Sequence, residues 1–203
     1  MSASAALKLI SVDDYLEMEE ASQEKHEYYA GEVYAMAGAS VPHNRIVRNT
    51  LSILDAFLRS KNCEVFPSDL KINVKTKSAF VYPDLSIVCD GLQFYDDRDD
   101  IIANPSVIIE VMSQHTERYD RGKKFMLYRQ LPSLKEYFLI SSMETRVEKF
   151  SKTAPDAWTL KEYVLMEDIV HLDSINYSIA LSEIYRDVMF DEKDAGKITT
   201  SER

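Results

Sequence analysis

The sequence predicts an α/β domain in which a mixed, twisted β-sheet is flanked by helices, and three observations lead there. Tyr82-Pro83-Asp84-Leu85-Ser86-Ile87-Val88-Cys89 and Val107-Ile108-Ile109-Glu110-Val111 are short β-branched runs bounded by turn signals. They are too short for core helices and read as central strands buried on both faces. His43, Ile46, Val47, Thr50, Leu51, Leu54, Phe57 and Leu58 recur at three- and four-residue spacing, as on an amphipathic helix of about four to five turns. Arg146-Val147-Glu148-Lys149-Phe150 and Trp158-Thr159-Leu160-Lys161-Glu162-Tyr163 alternate as antiparallel edge strands do.

In chain order, Ser11-Val12-Asp13-Asp14 has capping-box spacing and starts a short helix from about Val12 to Glu20, with Tyr15 and Leu16 inward. Tyr28-Tyr29-Ala30-Gly31-Glu32-Val33-Tyr34 reads as a hairpin with a tight turn at Ala30-Gly31 and Glu32 at the start of its second strand. Ser40 caps the long helix and Pro42 sits in its first turn. Cys63 to Phe66 and Leu70 to Val74 read as strand with a bulge near Pro67, followed by a turn and the Asp84 strand. The acidic run Asp96-Asp97-Arg98-Asp99-Asp100 is expected as a loop before the Glu110 strand. A second helix is expected from Asp120 to about Gln130, ending before Pro132. Lys135 to Ile140 gives a further strand, and Leu181 to Val188 a closing helix. One domain over residues 1–190 is expected, with a polar, frayed tail over 191–203.

With 203 residues, 45% hydrophobic and 29% charged, one core accounts for the chain. No apolar run approaches the roughly 20 residues that span a bilayer. The N-terminus Met1-Ser2-Ala3-Ser4-Ala5-Ala6-Leu7-Lys8 lacks the pattern of a signal peptide. A cytoplasmic protein without a membrane partner is expected, with Cys63 and Cys89 as reduced core or near-core thiols. The net charge of −10 argues against a general-purpose nucleic-acid binder. A local basic groove is compatible with it, because Arg118, Arg121, Lys123, Lys124 and Arg129 form one dense basic cluster.

Two carboxylates on buried strands carry the chemistry. Asp84 opens one run and Glu110 lies near the end of the other, where an unpaired ionised group is costly and calls for a salt bridge, a proton or a cation. Brought together, they make a hard-oxygen site suited to Mg²⁺ or Mn²⁺. On the second helix, Asp120, Lys124, Leu127, Tyr128 and Leu131 fall within an arc of roughly 100°. Lys124 therefore points toward the sheet, with Glu110 as partner and Asp120 as the alternative; the bland reading is a lysine stem lying over the core with its ammonium in water. His43 lies on the inward stripe of the long helix, as a core histidine or as a base or ligand. Asp69 and Lys71 read as a surface ion pair. Ser113-Gln114-His115-Thr116 either contacts phosphate or caps the second helix.

The order helix, strand, Pro-Asp strand, Glu strand, helix resembles the core of the PD-(D/E)XK nuclease superfamily. More closely, Gly31-Glu32, His43-Asn44-Arg45-Ile46-Val47, Tyr82-Pro83-Asp84-Leu85, Ile109-Glu110-Val111-Met112-Ser113 and Asp120-Arg121-Gly122-Lys123-Lys124-Phe125-Met126-Leu127-Tyr128 resemble a widespread bacterial family of restriction-endonuclease-like proteins. The likeness covers roughly residues 11 to 185. It implies a restriction-endonuclease-like fold and Mg²⁺- or Mn²⁺-dependent hydrolysis of phosphodiester bonds, with DNA as the expected substrate. Asp84 and Glu110 would hold the cation, and Asp84, Glu110, Lys124 and Glu32 would form the catalytic set, with His43, Asp120 and Tyr128 as accessory residues. Met112 stands where the superfamily pattern has a lysine, so the resemblance implies a migrated lysine supplied by Lys124. Glu32 resembles an additional acidic residue near the metal; a solvated hairpin glutamate is its alternative. A homodimer is expected, with the edge strands from Arg146 to Tyr163 as the association surface. The rival expectation is a non-catalytic interaction or regulatory protein that keeps the nuclease fold.

Overall fold

A computed structural model describes residues 9–74 and 78–190; the tail expected over 191–203 lies outside the described residues. Ser11 starts α1 (Val12–Ala21) by accepting the Asp14 N–H on its hydroxyl at 3.1 Å. Strands β1 (His26–Tyr29) and β2 (Glu32–Ala35) follow as the expected hairpin. Ala30 and Gly31 both lie in the left-handed region, at φ 47° and 96°, the geometry that a two-residue hairpin turn needs. Helix α2 (Val41–Leu58) begins at the Ser40 cap with Pro42 in its first turn.

Twelve of the fourteen described strands divide between two mixed sheets instead of filling one, and the last two pair as a separate hairpin. Sheet one joins β2 and β1 to β5 (Ala79–Val81), β4 (Lys71–Val74), β8 (Arg98–Ile102) and β7 (Phe94–Tyr95), in that order. Sheet two runs β12 (Ala157–Tyr163), β11 (Val147–Ala154), β10 (Glu136–Ser141), β9 (Val107–Met112), β6 (Leu85–Cys89), β3 (Cys63–Pro67). Within it β9 and β10 pair parallel, and the other neighbours pair antiparallel. All six residues of β9 are buried, as a strand covered on both faces requires.

Period-two alternation sends successive β9 side chains into different layers. Ile109 and Val111 pack with Leu85, Ile87 and Phe138 beneath Ile46, Leu54 and Leu58 of α2. Ile108 and Met112 turn the other way, toward Ile72, Val74 and Val81 of sheet one and toward Leu127 and Tyr128. Glu110 shares that second direction. On the far side of sheet one, Tyr15 and Leu16 of α1 cover Tyr28, Phe80 and Ile101.

Several local expectations are corrected. Cys63–Pro67 and Lys71–Val74 are not one bulged strand but edge and inner strands of different sheets. The acidic run is not a loop: it forms the β7–β8 hairpin, where Arg98 binds Asp100 at 3.0 Å. Asp69 and Lys71 do not pair with each other; Lys25 holds Asp69 and Asp100 holds the buried Lys71. The second helix starts at Glu117 and contains a π turn. The closing helix is only the short α5 (Leu181–Ile184), preceded by the hairpin of β13 (Ile169–Leu172) and β14 (Tyr177–Ala180), which the sequence reading lacked. Cys63 and Cys89 are not free thiols. The β3–β6 register sets them directly opposite, with Cα atoms 4.0 Å apart, and they form a disulfide. A separation of 26 residues without a CxxC spacing gave no local sign of that register. Among the described residues no helix is long and apolar enough to cross a membrane.

Candidate active site

Asp84 sits one residue before β6, and the antiparallel register Leu85↔Ile109 brings it beside Glu110. The side chain continues the ladder that the backbone has just left: Val111 N–H donates to Asp84 Oδ2 at 2.7 Å. In return the Asp84 N–H lies 3.4 Å from Glu110 Oε2. His43, in the first turn of α2, meets Asp84 Oδ1 through Nε2 at 3.1 Å. Its Nδ1 is buried without a partner. An ionised carboxylate only accepts, so Nε2 donates this bond.

The helical segment over the site is α3 (Glu117–Tyr119), a π turn (Asp120–Lys124) and α4 (Phe125–Tyr128). Ser113 and Thr116 open it by exchanging backbone-to-hydroxyl bonds at 3.0 and 3.2 Å, so this link caps the segment. Asp120, Lys124, Leu127 and Tyr128 are all buried, in keeping with the inward stripe. Lys124 Nζ lies 2.9 Å from Glu110 Oε1, 3.2 Å from Glu27 Oε1 and 2.9 Å from the Tyr82 carbonyl. An ammonium has three N–H bonds, and each has an acceptor here. Tyr128 also donates to Glu110 Oε1, at 3.0 Å.

Glu27 is the member that the sequence reading missed. It accepts the Tyr82 N–H at 3.1 Å and the Tyr119 hydroxyl at 2.8 Å while pairing with Lys124. The signal for it was the one that singled out Glu110, an acid inside a strand, but β1 begins two residues earlier than expected. Glu32, expected in this role, lies elsewhere on the hairpin and accepts the Tyr34 hydroxyl. The basic cluster does not gather on one surface either. Lys124 is buried, Arg121 is spent on Glu117 and Glu148, and Lys123 lies over the Tyr29 and Tyr34 rings.

The cluster is rich in acid: Glu27, Asp84, Glu110 and Asp120 surround one ammonium and one imidazole. Burial raises the Glu110 carboxyl well above its usual range, against the pull of Lys124. Burial also raises Asp84, against His43 and Lys124, and lifts Asp120 to about 6. For Lys124 burial acts downward, yet Glu110, Glu27, Asp120 and Asp84 together hold it above the ordinary lysine range, so it stays protonated. Carboxyls that burial holds toward their protonated forms gain most from a cation beside them, so the cluster suits one.

Among the described residues no group of three or more His, Cys, Asp or Glu is arranged to hold a metal. Asp84 and Glu110 fit one nonetheless. Both Asp84 oxygens and Glu110 Oε2 accept one bond each and keep a lone pair. Mg²⁺ commonly takes only one or two carboxylates and completes its shell with water and phosphate. The Asp84 side chain is 19% exposed, against 3% for Glu110, so solvent reaches the pair from the Asp84 side.

The chain matches the Uma2 family, described as "Putative restriction endonuclease", over residues 12–182. Two uncharacterized Synechocystis proteins are similar over most of their length. The protein slr1290 is 36% identical over 93% of this chain and 98% of its own; sll1609 is 34% identical over 78% and 89%. A crystal structure of a "putative nuclease belonging to DUF820" from Anabaena variabilis superposes with a TM-score of 0.72 at 15% identity, covering 87% of this chain and 97% of that one. At that identity the likeness speaks for the fold.

Proposed function

Since this chain belongs to the Uma2 family, we propose that its buried acid–lysine cluster hydrolyses phosphodiester bonds of DNA with the help of Mg²⁺ or Mn²⁺. The observation that carries the reading is the convergence of Asp84, Glu110 and Lys124 from three separate elements onto one partly open point. A divalent cation bound by Asp84 and Glu110 would polarise the phosphate and lower the pKa of a bound water. His43 orients Asp84, and Tyr128 orients Glu110. Lys124 offsets the charge that develops on the phosphate, in the manner of a migrated lysine. Its three acceptors mean that it does so by exchanging Glu110 for the substrate. Glu27 and the Tyr82 carbonyl keep the ammonium in place meanwhile. The reading includes a cytoplasmic homodimer, in which two copies present two sites to a duplex.

A second reading, a non-catalytic interaction or regulatory protein, draws on the same fully occupied Lys124 and on the net charge of −10. Incubating supercoiled and single-stranded DNA with Mg²⁺ or Mn²⁺ separates the two. Wild type should cut, and Asp84→Ala, Glu110→Ala and Lys124→Ala, each checked for folding by circular dichroism, should not. Equal residual cutting in all four preparations overturns the nuclease reading in favour of its rival.

A further inference from the structure

Strand β12 ends sheet two, and its outer edge has no neighbour among the described residues. Alternate residues of this seven-residue strand turn their backbone N–H and C=O groups away from β11, and such a row at a sheet edge is a template for another strand. Four of the ten exposed large hydrophobics among the described residues lie on β12 or within three residues after it: Leu160, Val164, Leu165 and Met166. Exposed apolar groups concentrated in this way mark an association surface.

From the β12 register we infer that the strand pairs antiparallel with β12 of a second copy of this chain, about a two-fold axis through Leu160. Such an axis is normal to the sheet, so only residues of the same parity lie opposite one another. Centring on Lys161 or on Glu162 sets a charge against itself, and centring on Thr159 sets Glu162 against Asp156 of the second copy. Like charges directly opposite are destabilising. Centring on Leu160 avoids all three. The β11–β12 register then completes each row: Phe150 faces Leu160, and Lys152 faces Trp158. The middle row of the joined sheet becomes Phe150, Leu160, Leu160 and Phe150 of the second copy, apolar throughout. In the flanking rows Glu162 meets Trp158 of the second copy, and Lys152 of that copy holds its ammonium over the same ring at 6.0 Å. Each flanking row thus reads Glu148, Glu162, then Trp158 and Lys152 of the second copy, and sets that Lys152 ammonium across the indole from a pair of carboxylates, twice over by symmetry.

This gives the homodimer of the nuclease reading its surface and register, and its test reads association, so it can fail while DNA cutting persists and can hold if cutting is absent. Sedimentation equilibrium should give twice the 23.3 kDa chain mass at micromolar protein for wild type. Leu160→Asp should give the chain mass with unchanged thermal unfolding of the monomer. Glu162→Lys and Lys152→Glu should each weaken the dimer by about threefold, as an exposed pair would, and the double variant should restore it. Under mild oxidation Leu160→Cys should cross-link to its own copy, whereas Lys161→Cys should not, its Cα atoms lying about 8 Å apart across the axis and beyond disulfide reach. A monomeric wild type overturns the inference, as does a dimer that Leu160→Asp leaves intact or one in which Lys161→Cys cross-links and Leu160→Cys does not.

Discussion

The Asp84 carboxylate accepts the Val111 N–H at 2.7 Å and so takes the place of a backbone carbonyl at the end of the β6–β9 ladder. One side chain thereby extends the ladder and forms the solvent-reached side of the acid cluster. The two duties separate by substitution. Asp84→Asn keeps an oxygen acceptor for Val111 and loses the charge. It should unfold within about 1 kcal/mol of wild type while its Mn²⁺ affinity, read by calorimetric titration, falls at least about tenfold. Unchanged affinity would remove Asp84 from the cation site.

Lys124 is the single ammonium among four acids, and its loss leaves buried charge uncompensated. Lys124→Met should cost about 3–5 kcal/mol at pH 8 in a urea titration. The deficit should shrink at pH 5, where Glu110 and its neighbours take up protons in place of the missing cation. A deficit independent of pH would mean that packing, not charge, is what Lys124 supplies.

Asp120 gives a pH dependence of definite sign. Burial lifts its carboxyl from 3.8 to about 6. The folded state therefore binds the proton more tightly than the unfolded chain, and the penalty for ionising it grows as pH rises from about 4 to about 6. Asp120→Asn removes that penalty. The variant should exceed wild type by about 1–3 kcal/mol at pH 7.5, and the two should converge below pH 4. Wild type being the more stable at pH 7.5 would contradict this.

The bond between Cys63 and Cys89 should appear in thiol counting of the denatured protein, with no reactive thiol before reduction and two after it. It closes a loop of 26 residues. Cys63→Ser with Cys89→Ser should therefore lower stability by about 3 kcal/mol through the freed unfolded chain, measured by denaturant titration under non-reducing conditions. Two reactive thiols in protein alkylated during lysis would instead match the reduced state that the cytosol maintains.

What could be read along the chain was whatever a local period expresses. The β-branched runs around Asp84 and Glu110, the α2 stripe and the inward Lys124 all follow from spacing within one element. What escaped depends on how separate elements meet. Glu27 pairs with Lys124 across 97 positions of chain, and nothing in His26-Glu27-Tyr28 alone tells it from Glu32. Cys63 opposite Cys89 and the division of strands between two sheets likewise follow from register, which no single segment specifies. The β13–β14 hairpin was hidden for a different reason: its four-residue strands around Asp173-Ser174-Ile175 carry too short an alternation to stand out.

The π turn at Asp120–Lys124 holds one more residue per turn than an α-helix does. Upstream of it Glu117 is committed to Arg146, and near its start Arg121 is committed to Glu148; downstream Leu127 and Tyr128 are committed to the core. The spare residue acts as an angular adjuster between two faces that an unbroken helix would lock in phase. Removing Gly122 would shorten the chain by a side chain that is only a hydrogen, yet it would turn one half of the segment by about 100° against the other. Either the Arg121 contacts or the Lys124 contacts would then have to give way, so length variation within this turn is a change of aim.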